Sequence, residues 1–311
     1  MLRTAFTDLV GCTVPLQLAG MGGVGSVELA AAVSRAGGFG MIPGAHAPDE
    51  LERLREQTNG MFGVNFLIPF VDWDAVEIAA GTAKLVEFFY GWPDPTLVEA
   101  VRRGGALASW QVGSKEEALA AVDAGCDLVV VQGREAGGHV RGSLGLLTVL
   151  AQVLDAVEIP VLAAGGIGTA RAMAAALAAG AAGVRVGTRF VAARESPAHQ
   201  AYVEALIAAT AGDTVVTEAF STGWPDAPHR VLRSCIEAAT AIGTDSVGHT
   251  ADGWAIPRLH PSPPVQSTTG QIEAMALYAG ESVDGVTEVQ PAEQIVRELA
   301  EGAEELLDHW C

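Results

Sequence analysis

Lysine is nearly missing from this chain. Only Lys84 and Lys115 occur, and with the arginines they make 18 basic residues against 37 acidic ones, a formal net charge of −19. A surface that binds nucleic acid needs a basic face, so nucleic acid is excluded as a partner. The same deficit excludes an anionic membrane surface. Cysteine is also scarce. Four occur, at 12, 126, 235 and 311, with no CxxC and no spacing that frames a metal site or a set of disulfides. They read as reduced thiols. The seven histidines (46, 139, 199, 229, 249, 260, 309) have no metal-ligand spacing either, so no metal is expected. Long apolar runs are absent. The longest uncharged stretch, Leu9 to Val27, holds Pro15, Gln17 and five glycines, which makes it a poor membrane span. The start, MLRTAFTDLV, has no apolar core of a signal peptide, so the cytoplasm is the expected location.

What is present is a large apolar inventory in short pieces. Half of the 311 residues are hydrophobic. From Pro15 to about Arg194, short apolar runs alternate with amphipathic stretches, the pattern of parallel strands joined by crossover helices. Eight strands are predicted: Pro15 to Met21, Gly38 to Ile42, Met61 to Ile68, Leu85 to Gly91, Ala106 to Val112, Asp127 to Gln132, Pro160 to Gly165 and Gly183 to Thr188. Their apolar character on both faces fits a buried parallel sheet. Helix starts are marked by Ser26, Asp94 with Pro95, the Ser114–Glu117 capping pair and Thr169. Eight βα units predict an α/β fold of the (β/α)8 TIM-barrel type, with residues 1–211 and 271–311 forming the barrel. The alternation fails between 212 and 270, a stretch rich in Pro, Gly, Trp and His, which predicts a small cap or substrate region inserted after strand eight. A helix is expected from Gln271 to Ala279, and a closing amphipathic helix after Pro291.

Barrel chemistry gathers at the carboxyl ends of the strands. There the chain reads AGMGGVGS after strand one, QGREAGGHVRG at strand six, AAGGIG at strand seven and VGTRF at strand eight. Gly165 and Gly166 after strand seven, and Gly187 and Thr188 after strand eight, each lead into a helix start. Two adjacent helix N-termini with bare N–H groups make an anion site, with the Thr188 hydroxyl as an added donor. Asn65 on strand three and Gln132 on strand six carry carboxamides that could read a heteroaromatic ring, and Gln111 is a further candidate. His139, among glycines in the strand-six loop, is the candidate proton-transfer group. Trp224, Trp254, Tyr278, His229 and His260 could line or cover a ligand, or serve the core of the cap. No cysteine lies between 133 and 142, so a thiol nucleophile in this loop is excluded.

EAGGH, AAGGIG and GVRVGTRFVAARES, together with QLAGMGG, GVNF and LYAGESV, resemble the nitronate monooxygenases, formerly called 2-nitropropane dioxygenases. The likeness covers most of the chain and is weakest from about 212 to 270. It implies a barrel with FMN at its mouth under a small cap. It implies that Gly166, Gly187 and Thr188 hold the FMN phosphate, that Gly165 also binds the cofactor, and that Met21, Asn65, Gln132 and Gly138 lie along the ribityl chain and ring. It implies that His139 takes the proton α to a nitro group or orients the nitronate, with O2 as co-substrate and a carbonyl compound and nitrite as products. The superfamily also holds an FMN-dependent enoyl-acyl-carrier-protein reductase that uses NADH, which stays open as an alternative, as does a flavin-binding protein without turnover. Where some members carry Asp-Gly-Arg, this chain has Gly168, Thr169 and Ala170, so the substrate is left open. So is assembly, with a homodimer as one option.

Overall fold

A computed structural model describes residues 2–44, 48–59 and 61–309; His46 and Cys311 lie outside the described residues. Eight parallel strands form the frame: Leu16–Leu18, Gly40–Pro43, Phe62–Leu67, Leu85–Phe89, Leu107–Val112, Leu128–Gln132, Val161–Ala164 and Gly183–Val186. Strands two to eight each pair with their neighbours in sequence, and the first pairs with the eighth through Leu16–Val184, Gln17–Arg185 and Leu18–Val186. The remaining seam, between strands one and two, is closed by a bridge of Gln17 to Phe39, with Leu18 N–H donating to Phe39 O at 2.9 Å. The sheet is therefore a closed (β/α)8 barrel.

Local chemistry starts the helices where expected. Ser26, Asp94, Ser114 and Thr169 accept hydrogen bonds from the first-turn amides of the helices Val27–Arg35, Pro95–Gly104, Lys115–Asp123 and Ala170–Ala178. Glu117 does not complete a capping box. Its carboxylate accepts from Gly113 N and from the Arg141 guanidinium instead. The helices bury their apolar stripes against the outer face of the barrel, where Phe66, Phe88 and Trp110 on adjacent strands stack with centroids 6.1 and 5.0 Å apart. A short helix, Ala5–Val10, which the apolar periodicity does not announce, covers the amino ends of the strands. Its Phe6 is fully buried and edge-on to Phe39, a burial that contributes about 2 kcal/mol.

After the eighth strand come a four-residue helix, Thr188–Val191, and then a long excursion. The chain returns at Gln290, which bridges to Ala193. The helix Ala292–Asp308 then packs between the helices that follow strands one and seven. The excursion has its own apolar cluster, including Tyr202, Phe220, Val231, Cys235, Met275 and Leu277. Residues 271–279 are not a helix, contrary to the sequence expectation. Only a 3-10 turn, Ile272–Ala274, forms. The chain then runs extended because Tyr278 bridges Val231 and Leu277 O accepts from Leu232 N. Among the described residues no helix is long and apolar enough to cross a membrane, and no group of three or more His, Cys, Asp or Glu could hold a metal.

Candidate active site

The strand-six loop is held rigidly. The Gln132 carboxamide straddles it, with Nε2 donating to His139 O at 2.9 Å and Oε1 accepting from Arg141 N at 3.2 Å. Gln132 thus orients the histidine segment. Glu135 accepts from Leu146 N and so caps the helix Leu146–Leu154, whose N-cap Gly145 has no side chain. Gly137 must be glycine: a Cβ there would lie 2.4 Å from Gly280 N and 3.0 Å from Thr188 Oγ1. Gly138 and His139 then form a strand of their own, antiparallel to His229–Leu232, which in turn pairs with Thr214–Thr217. The inserted region is therefore hydrogen-bonded directly onto the candidate catalytic loop. Arg230 strengthens the joint by donating to Arg134 O at 3.0 Å and pairing with Glu281 at 2.9 Å.

His139 sits in an aromatic cleft. The Trp224 indole stacks on it at 3.8 Å between centroids and 23° between planes. Tyr90, Tyr278 and His229 stand 5.6, 5.8 and 5.3 Å away. The imidazole Nε2 is buried and has no hydrogen-bond partner. Burial, aided by the nearby His229, pushes the imidazole down to about 3, so it is neutral at neutral pH. Tyr90 holds a left-handed backbone, φ 67°, at the end of strand four, a conformation a bulky residue adopts only where its surroundings impose it. Burial raises its phenol to about 12. Trp224 is itself braced edge-on by Phe70 and Tyr90, both at 4.9 Å.

The ends of strands six, seven, eight and one converge beside this cleft. Gly165 and Gly166 have φ of 103° and 70°, and a Cβ on them would meet Ala136 N at 3.0 Å and Glu135 Cβ at 3.3 Å. Gly187 caps the next helix without a side chain, 3.7 Å (from a built Cβ) from Met21 Sδ. Thr188 Oγ1 accepts from Gly280 N at 3.0 Å, which leaves its own proton to donate. Gly20 passes against Asn65, 2.6 Å from a built Cβ to the asparagine Cβ. Gly165, Gly166 and Thr188 thus border the strand-six loop that carries His139, while Gly187 lies beside Met21 and Gly20 beside Asn65. Gly138 has φ 74° and nothing within 4 Å of a built Cβ, so it borders open space.

Of the cap residues singled out from sequence, Trp224, Tyr278 and His229 reach His139. Trp254 does not; it stands edge-on to His260 and half exposed. Gln111 is bonded to Arg185 inside the barrel. Sequence reasoning passed over Glu87, Arg185 and Tyr90. The first two carried a signal, since each is a lone charge in an apolar strand, LVEFF and GVRV, and such a charge must be paired. Two concavities of about 390 and 400 Å³, lined by Arg102, Arg103 and Ala124 and by Arg55, Lys84 and Gly105, involve none of these site residues.

The chain is 36% identical over 259 residues to a (3aS,4S,5R,7aS)-5-hydroxy-7a-methyl-1-oxo-octahydro-1H-indene-4-carboxyl-CoA dehydrogenase of Mycobacterium tuberculosis, covering 80% of this chain and 72% of that protein. It is 29% identical over 353 residues to a probable nitronate monooxygenase of Staphylococcus aureus, covering 89% and 99%. Among solved structures, FabK from Thermotoga maritima superposes with a TM-score of 0.81 at 30% identity, over 100% and 99% of the two chains. Nitroalkane oxidase from Streptomyces ansochromogenes superposes with a TM-score of 0.80 at 31% identity, over 99% and 100%. The family model described as nitronate monooxygenase matches residues 3–77 and 71–302. That match runs over nearly the whole chain, and this oxidoreductase belongs to the nitronate monooxygenase family.

Proposed function

We propose that the chain is an FMN-dependent, nitronate monooxygenase-like enzyme of the cytoplasm, which oxidises alkyl nitronates or nitroalkanes with O2 to a carbonyl compound and nitrite. In this reading the barrel binds FMN and the 212–270 region covers it. The observation that carries the reading is the buried, unpartnered Nε2 of His139, on a loop bordered by the glycines 165 and 166. The residues fit the cofactor. Gly165, Gly166 and Gly187 offer backbone N–H groups without side chains, Thr188 has a free proton, and Gly138 borders open space where a ring can lie. When bound, FMN supplies electron transfer between substrate and dioxygen.

The protein's part is proton handling and exclusion of water. A half-buried imidazole whose Nε2 is shut off from water has little solvent to stabilise its cation, so it takes a proton best where an anion forms beside it. Abstraction of the proton α to a nitro group by Nε2 creates that anion, a nitronate, within contact distance of the imidazolium. The ion pair then holds the nitronate in place. Trp224 and Tyr278 keep the pair out of water, and Gln132 keeps the loop from swinging away. The test is oxygen uptake and nitrite release by flavin-loaded protein with a series of nitronates. No uptake with any of them would sink the substrate assignment.

A second reading, an FMN-dependent enoyl-thioester reductase using NADH, is favoured by the aromatic path from His139 through Trp224 to the exposed Phe70, a surface suited to an acyl chain. NADH oxidation that requires an enoyl thioester would decide for it.

A further inference from the structure

The inside of this barrel is unusually polar. Gln17, Asn65, Glu87, Ser109, Gln111 and Arg185 all lie buried in it. The Arg185 guanidinium, 5% exposed, donates to Gln17 Oε1 at 3.0 Å, to Gln111 Oε1 and to Glu87 Oε2. Glu87, fully buried, also accepts from Ser109 Oγ at 3.4 Å and, through its other oxygen, from Asn65 Nδ2 at 2.8 Å. Stability does not account for this arrangement. Apolar residues of similar volume would serve as well or better than a buried ion pair. The network also leaves Gln17 Nε2 buried without a partner.

Its geometry does have a consequence at Asn65. A carboxylate paired with arginine only accepts, so Asn65 must turn its NH2 toward Glu87. The carboxamide oxygen is then committed to the other side. Gly20 packs against this side chain, since a Cβ at that position would lie 2.6 Å from Asn65 Cβ and 3.2 Å from Oδ1, so the choice between the two amide orientations is left to Glu87. We infer that Glu87, held by Arg185, is a positioning residue that locks Asn65 as a hydrogen-bond acceptor, so that the site selects a planar heterocycle presenting an N–H at that edge. This rests on the reading of a flavin site, because the pyrimidine edge of an isoalloxazine has a single ring N–H between two carbonyls.

The test measures FMN dissociation constants by quenching of flavin fluorescence, with the melting temperature of the flavin-free protein as the control for folding. Glu87→Gln lets the amide at 65 turn either way, and should raise the FMN dissociation constant about tenfold. In an Asn65→Ala background the same change should alter it less than twofold, because the group it positions is gone. Unchanged affinity in Glu87→Gln, or an equal loss in both backgrounds, overturns the inference. If Glu87→Gln does not fold, a flavin mononucleotide methylated at its ring N–H decides. Wild-type protein should bind it at least tenfold more weakly than FMN, because the acceptor at 65 then meets a methyl group. Equal binding of the two flavins overturns the inference. Wild-type protein that binds no flavin at all overturns the cofactor reading and this inference with it.

Discussion

Two histidines face each other across the small sheet that joins the barrel loop to the inserted region, and they differ in one respect. His229 has both ring nitrogens engaged: Nε2 accepts from Phe220 N at 3.3 Å, so Nδ1 carries the proton and donates to Ala227 O at 2.8 Å. Burial lowers it, as it lowers His139. His139 is paired to it in register, yet keeps Nε2 unpartnered under Trp224. A closed set of hydrogen bonds marks a histidine that shapes a loop. An open one in a dry cleft costs stability and is kept where a ligand completes it. The same residue type, in adjacent strands, thus has its hydrogen bonds closed on one side and open on the other, where the proposed function uses it.

The contrast can be broken in order of effect. His139→Asn should lower turnover of a neutral nitroalkane about a thousandfold, near 4 kcal/mol in the barrier, with flavin content unchanged. Steady-state oxygen uptake checks it, and equal turnover would take His139 out of the chemistry. His229→Phe should do the reverse. It leaves Phe220 N and Ala227 O unpaired and should remove about 2–3 kcal/mol of stability in denaturant melts, with a smaller effect on turnover. Gly166→Ala places a Cβ at φ 70° beside the strand-six loop and should weaken flavin binding about tenfold, as read by fluorescence titration.

Trp224→Ala tests the desolvation itself. In the wild type the unfolded chain takes up a proton on this imidazole near its ordinary value of 6.5, whereas the folded protein resists until about 3. Stability from the neutral form is therefore present above pH 6.5 and is lost as pH falls toward 3. Opening the cleft should raise the folded value toward 6.5 and flatten that loss. An NMR titration of the ring that stays near its wild-type value would refute the role of the indole. The smallest effect belongs to a control: Arg297→Ala breaks an exposed pair with Glu293 and should change stability by no more than about 0.5 kcal/mol.

How much of this was legible depends on the range of each interaction. The eight strands could be read because each is a short apolar run with turn residues beside it, and the helices because their caps lie within three residues of the amides they serve. The short helix Ala5–Val10 has too few turns to show a period. Residues 271–279 misled because their composition suits a helix, while the partners that extend them, Val231 and Leu232, lie over 40 residues away. Position in the barrel made His139 and the strand-end glycines candidates. The group that fills the cleft over His139 was not, since Trp224 reaches it only through the pairing of two distant strands. Glu87 and Arg185 are 98 residues apart, and nothing local in either strand names the other.

The return of the chain beside its point of departure has a consequence for how the molecule is made. Glu195 receives the amide of Ala292, 97 residues later, and the last helix seats only then. On a ribosome all eight strands emerge before the segment that seals the barrel wall. Until that seal arrives, the flanks of Val27–Arg35 and Ala170–Ala178 stand bare to the cell, and truncation near residue 290 should yield a sticky, chaperone-dependent product rather than a smaller enzyme.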